Sequence, residues 1–321
     1  MNLESQLSKL EEQTRGLEPP DRARLCCQLA KQLEKAGEYA AAREALNEFW
    51  PGTDGSLNIE TLDESSRAEI QLRIGALAGW LGSADQSGGG QETAKDLITR
   101  SLQIFESLGQ TTQIAEARGD LALCYWREGS YDEARIHLVE ALDCLGDKND
   151  ELKAVLLIRA GIVEVWAQRL SEALCLYNEA SRLLDESEDH ALKGAFHNEF
   201  ALLFNRLAPA EGREDYLDRA LIEYAAASFH FEQAGNKRYL ARVENNLGYL
   251  FFTIGRYKEA HSHLNRARHL FLELGDIGTG AQVDDTRART LLAEGKIHEA
   301  EKYAQSAGED AGKGRRAGVA G

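Results

Sequence analysis

The sequence predicts an all-α solenoid of about seven helix-turn-helix repeats, and three observations predict it. Seven alanines, Ala42, Ala94, Ala134, Ala173, Ala220, Ala260 and Ala300, recur at separations of 52, 40, 39, 47, 40 and 40 residues. Each opens a helical stripe that runs into apolar residues, and a period near 40 is the signature of stacked helix pairs. The chain of 321 residues holds only four prolines, Pro19, Pro20, Pro51 and Pro209, each read as a loop or helix-start position. Proline inside a helix costs about 3 kcal/mol, so their scarcity suits an almost wholly helical chain. The length alone would suggest two domains, but a solenoid grows by adding units without enlarging one core.

The elements follow in order. Leu3, Leu7 and Leu10 line one face of a short amphipathic helix before Pro19-Pro20-Asp21, so residues 1–18 are expected to cap the array. The solenoid is expected over residues 23–307. Its first repeat reads Gly37, Tyr39, Ala42 and Leu46, and residues 51–64 form a loop before helical patterning resumes from Glu69 to Trp80. Gly82-Ser-Ala-Asp-Gln-Ser-Gly-Gly-Gly90 reads as a flexible insertion within the second repeat. Gly129, Tyr131, Ala134, Leu138 and Ala141 set out the third repeat. In the fourth, Ala173, Tyr177 and Ala180 follow a degenerate turn, Gln168-Arg169-Leu170. Ala208-Pro209-Ala-Glu-Gly212 opens a second insertion, expected to run to about 217. Longer loops are tolerated because closure entropy grows slowly with length.

The sixth repeat is the clearest. Leu247, Leu250, Phe251 and Ile254 share one face of a first helix, which Gly255 ends. Ala260, Leu264 and Ala267 form the stripe of a second helix, and small residues there let the two axes approach closely. Gly295, Ile297, Ala300, Ala304 and Ala307 repeat the pattern once more. Phe105-Gly109, Phe231-Gly235 and Phe271-Gly275 recur 11 and 15 residues after their anchors. Residues 308–321 carry five glycines and no aromatic residue, and are expected to be a disordered tail. No polar capping helix follows the seventh repeat. The array is therefore expected to continue, or its exposed end to be covered, self-association included.

This pattern of Leu-Gly pair, Gly-x-Tyr turn and small second-helix residues resembles the tetratricopeptide repeat. It departs in its period near 40 instead of 34, and in helices ended by glycine instead of proline. The longer spacing is similar to that of kinesin light chains and bacterial peptide-sensing regulators. The resemblance implies a right-handed superhelix whose first helices line a concave groove.

Composition excludes several functions. A net charge of −16 disfavours binding to nucleic acid or to an anionic membrane. No 18-residue apolar run exists, since Val155 to Val165 carries Arg159 and Glu164, and Met1-Asn2-Leu3-Glu4 opens no secretory signal. A cytoplasmic protein is expected. Cys26, Cys27, Cys124, Cys144 and Cys175 have no metal-ligand spacing and read as reduced thiols on or beside apolar faces. His-Glu-x-x-His and Gly-x-Ser-x-Gly are absent, and His261 and His263 point to different helix faces. The stretch from Gly308 to Gly314 is one residue short of a phosphate loop and lacks its Ser or Thr. No catalytic residue, cofactor or metal site is expected.

The candidate site is the inner face of the first helices. Relative to the small residues Gly75, Ala122, Gly161, Ala201, Gly248 and Ala288, positions two before and five after lie two turns apart and share a face. These rows hold Arg73, Asp120, Arg159, Glu199, Asn246 and Thr286, then Trp80, Arg127, Trp166, Arg206, Thr253 and Ala293. One place before the second row stand Trp126, Asn205 and Phe252, and Tyr249 lies nearby. Trp and Arg are the residues most enriched at binding hot spots. The alternative is that the tryptophans fill gaps between first helices while the arginines pair with Asp120, Glu116 or Glu199. The family resemblance implies that Asn246 grips a peptide backbone, against the alternative of an inter-repeat hydrogen bond.

The expected function is a non-enzymatic scaffold that binds a protein or peptide segment through Arg73, Trp80, Trp126, Arg127, Arg159, Trp166, Asn205, Arg206, Asn246, Tyr249 and Phe252. The rival is the ligand-sensing part of a bacterial transcriptional or signalling regulator whose output domain lies outside this chain.

Overall fold

The computed structural model describes residues 3–51, 56–84, 89–146, 151–305 and 308. They are all-α, without a strand. The chain divides into two compact units, Met1–Glu186 and Ser187–Gly321.

In the first unit, α1 (Leu3–Thr14) packs against both α2 (Pro19–Lys35) and α3 (Tyr39–Ala45), placing Leu10 in the core. Three further pairs follow, α4 (Glu64–Ala84) with α5 (Gly89–Leu108), α6 (Thr111–Arg127) with α7 (Tyr131–Leu145), and α8 (Glu151–Trp166) with α9 (Leu170–Leu184). The second unit pairs α10 (His190–Glu211) with α11 (Asp215–Gln233) and α12 (Lys237–Thr253) with α13 (Tyr257–Glu273). It ends with α14 (Ile277–Ala293) and a helix, α15, over 297–305. Within each unit successive first helices touch, α2 to α4 to α6 to α8, and α10 to α12 to α14.

The alanine anchors lie on the second helix of each pair and are at most 5% exposed. Opposite them, the small residue of the first helix receives a second-helix side chain. A Cβ on Gly161 would lie 2.2 Å from the Tyr177 ring, and one on Gly248 would lie 2.5 Å from Leu264. The small residue therefore faces its own second helix. Positions two before and five after it are rotated about 150° away, onto the opposite face.

Helix ends follow one grammar. Gly129 and Gly255 adopt φ of 81° and 76°, a left-handed conformation that glycine enters without a Cβ penalty. In the fourth pair Gln168 stands at this position with φ 61°, which makes it the one described non-glycine residue there. The degenerate turn keeps the fold of its relatives and carries strain in place of glycine.

Both insertions differ from their sequence expectation. The stretch 82–90 is not a simple loop: residues 82–84 end α4, residues 89–90 begin α5, and 85–88 lie outside the described residues. Gly82 and Gly90 meet backbone to backbone, so a Cβ on Gly82 would lie 2.8 Å from the Gly90 Cα. The glycines serve close helix packing. Residues 208–211 likewise belong to α10, which runs for 22 residues against 16 in α8, and α11 starts at Asp215. Pro209 sits in the last turn, where one lost hydrogen bond is tolerated, and Gly212 (φ 66°) closes the helix with Arg213 N donating to Ala208 O at 3.0 Å. Residues 51 and 56–63 are non-helical, in agreement with the loop expected there. The tail expected over 308–321 lies, Gly308 apart, outside the described residues.

Candidate functional site

In the first unit the inner face of the first helices is crossed by a ladder of charge. Arg73 of α4 donates to Glu34 of α2 at 3.1 Å and to Glu116 of α6 at 2.7 Å, and Lys31 reaches Glu116 at 2.6 Å. Arg159 of α8 pairs with Asp120 of α6 at 2.7 Å. Arg73 is 8% exposed. It is therefore committed to two carboxylates and is not free to grip a ligand, contrary to its expected place among the contact residues. Burial pushes the Glu34 carboxyl above the usual carboxylate range. Burial acts the same way on Glu116, but Arg73 and Lys31 outweigh it and bring that carboxyl down to about 2.

The aromatic residues divide. Trp80 stacks on Tyr39 with centroids 3.3 Å apart and 15° between planes, which fastens the end of α4 to α3. Trp126 and Trp166 meet edge to face at 6.1 Å, bridging the ends of α6 and α8. Trp166 remains 41% exposed. Arg127 lies over α4, where a Cβ on Gly79 would be 3.3 Å from its Nη1.

In the second unit the polar residues of α10 and α12 interlock. Asn246 donates to Asn198 at 3.1 Å, and Asn198 donates to Glu199 at 2.9 Å. Asn246 therefore makes an inter-repeat hydrogen bond. Its neighbour Asn245 has a buried Oδ1 with no hydrogen-bond partner. Burial pushes the Glu199 carboxyl up, while Arg242, the Asn198 amide and Arg206 favour its charge. Asn205 and Arg206 are half-buried on α10. Tyr249 is 44% exposed and tilts against Phe252 at 6.0 Å. Arg242 belongs to this cluster but was absent from the sequence expectation. Neighbouring residues point about 100° apart on a helix, so only the contact with α10 separates Asn245 from Asn246.

The first helices thus offer an exposed aromatic residue in each unit, Trp166 on α8 and Tyr249 on α12, an arrangement suited to recognition. Cys26, Cys27 and Cys124 are thiols that burial pushes up to about 11, 12 and 11, whereas Cys175 is exposed, not packed on an apolar face. Among the described residues no helix is long and apolar enough to cross a membrane.

Residues 113–186, covering α6 to α9, match the tetratricopeptide repeat. No curated protein matches the sequence. Among solved structures, a Rap protein complexed with Competence and Sporulation Factor is similar at a TM-score of 0.64 and 11% identity, over 98% of this chain and 81% of that one. The apo form of RapI is similar at 0.59 and 16% identity, over 92% and 98%. BtubC from P. vanneervenii is similar at 0.56 and 20% identity, over 72% and 92%. At these identities the likeness is one of fold. The chain thus carries a tetratricopeptide-repeat match in α6 to α9, and the same pairing of helices before and after it gives a solenoid of tetratricopeptide-repeat-like fold.

Proposed function

We propose that the protein is a non-catalytic scaffold that binds a peptide or a partner's extended segment on the inner faces of its first helices. The observation that carries this reading is Trp166, a large aromatic ring left 41% exposed and braced by Trp126. Tyr249 with Phe252 offers a similar surface in the second unit. Trp166, Trp126, Arg127, Tyr249, Phe252, Asn205 and Arg206 are the contact residues. Arg73, Arg159, Trp80 and Asn246 support the face from within. A Rap protein of similar fold is solved in complex with Competence and Sporulation Factor and another in complex with the Phr* peptide, so a peptide is the first ligand class to try.

The test is affinity capture with mass spectrometry, comparing the wild type with Trp166→Ala and Tyr249→Ala. Loss of a hot-spot aromatic removes about 2 kcal/mol or more, roughly 30-fold in affinity. A partner retained equally by the wild type, both variants and Arg127→Ala would overturn the assignment.

A further inference from the structure

The α10–α11 hairpin holds a chain of ionisable side chains that the binding faces do not use. His190 opens α10, and Lys193 and His197 follow at helical spacing. Glu223 and His230 lie seven residues apart on α11. His197 Nδ1 is 2.6 Å from Glu223 Oε2, and the His197 ring lies parallel to His230, 5.4 Å away and 4° from coplanar. His230 Nδ1 is in turn 2.8 Å from His190 Nδ1. Phe229, 53% exposed, sets its ring edge-on to both His190 and His230.

Two imidazole nitrogens at 2.8 Å can share one proton but not two. With one, an N–H points at a lone pair; with two, both atoms are donors and the contact becomes repulsive. Among the described residues, the nearby carboxylates are already engaged. Glu223 is already engaged by His197, and Asp189 caps α10 by accepting from Leu192 N. On α12, the other helix packed on α11, Lys237 is directed to Glu273, Arg238 to Asp276 and Glu244 to His263 and Arg266. Arg242 lies over Tyr239.

We propose that this seam is a proton-sensitive joint, closed at neutral pH and released on acidification when the His190–His230 pair takes its second proton. Burial, then His197, His190 and Lys193, hold His230 down at about 4 against an ordinary 6.5. The unfolded chain therefore binds protons that the closed seam refuses. The seam's stability is complete above about pH 6.5 and falls as the pH drops through the window to about 4.

The test is hydrogen exchange on the full chain between pH 7.5 and 4.5, corrected for the intrinsic rate. The reference is α8, which contains no histidine. Protection over 190–199 and 222–233 is expected to fall at least tenfold more than that of α8. His230→Phe keeps a stacking ring but takes no proton. His190→Gln keeps a hydrogen-bond partner for His230. Both are expected to abolish the step. A seam that tracks α8, or a step that survives in both folded variants, would overturn the proposal. Ring nitrogen NMR of the wild type decides independently of either variant's folding. A proton shared by His190 and His230 at pH 7 supports the joint, and two imidazoles that titrate separately at ordinary pH overturn it.

Discussion

At the scale of single residues, two positions combine local violation with a structural cause. Gln168 takes a left-handed φ of 61° where other turns use glycine. Gln168→Gly relieves that strain and is expected to stabilise the first unit by about 0.5–1 kcal/mol, read as a rise in the urea midpoint at unchanged slope. Arg73 shows the opposite balance. Removing it strands Glu34 as a buried carboxylate and leaves Glu116 with Lys31 alone, so Arg73→Met is expected to destabilise by about 3 kcal/mol. Adding Glu34→Gln and Glu116→Gln removes both carboxylate charges, and most of the loss is expected to return in the triple variant. The sequence showed that Arg73 shares a face with Asp120 and Arg159. It did not show that α2 and α6 close over it, because Glu34 and Glu116 lie about 40 residues away on either side.

At the scale of elements, helix pairing was legible where side-chain period and small residues agreed. Gly161 and Gly248 make room for Tyr177 and Leu264, and both fell on the predicted small-residue row. The insertions were not legible. Gly-rich and Ala-Pro-Ala runs have loop propensities, yet helix packing overrides such preferences. Gly82 and Gly90 illustrate this, since a Cβ on Gly90 would lie 2.7 Å from the Gly82 Cα. Gly90→Ala is accordingly expected to force α4 and α5 apart and destabilise by roughly 1–3 kcal/mol, measured by urea denaturation. Were these glycines mere flexible linkers, the substitution would be neutral or slightly stabilising. α10 gives the complementary case, because an added turn containing Pro209 extends the helix to Glu211 when Leu207 and Ala208 are buried.

At the scale of the whole molecule, stability in stacked repeats is approximately a sum of unit and nearest-neighbour terms. Effects should therefore stay local. Arg73→Met is expected to raise hydrogen exchange across α2 to α8 and leave α12 and α13 at wild-type protection. Uniform loss of protection would contradict a nearest-neighbour account. By itself the sequence determined the all-α class, the succession of helix pairs and which helix of a pair carries each alanine anchor. Those features follow from period and residue size, which are local properties of the chain. Tertiary structure alone decided which side chains on that inner side are bound up. Arg73, Trp80 and Asn246 turn into neighbouring helices, while Trp166 and Tyr249 keep 41% and 44% of their surface exposed. Whether a polar or aromatic group is free depends on partners brought close by packing, and helical spacing along one strand of sequence carries no record of them.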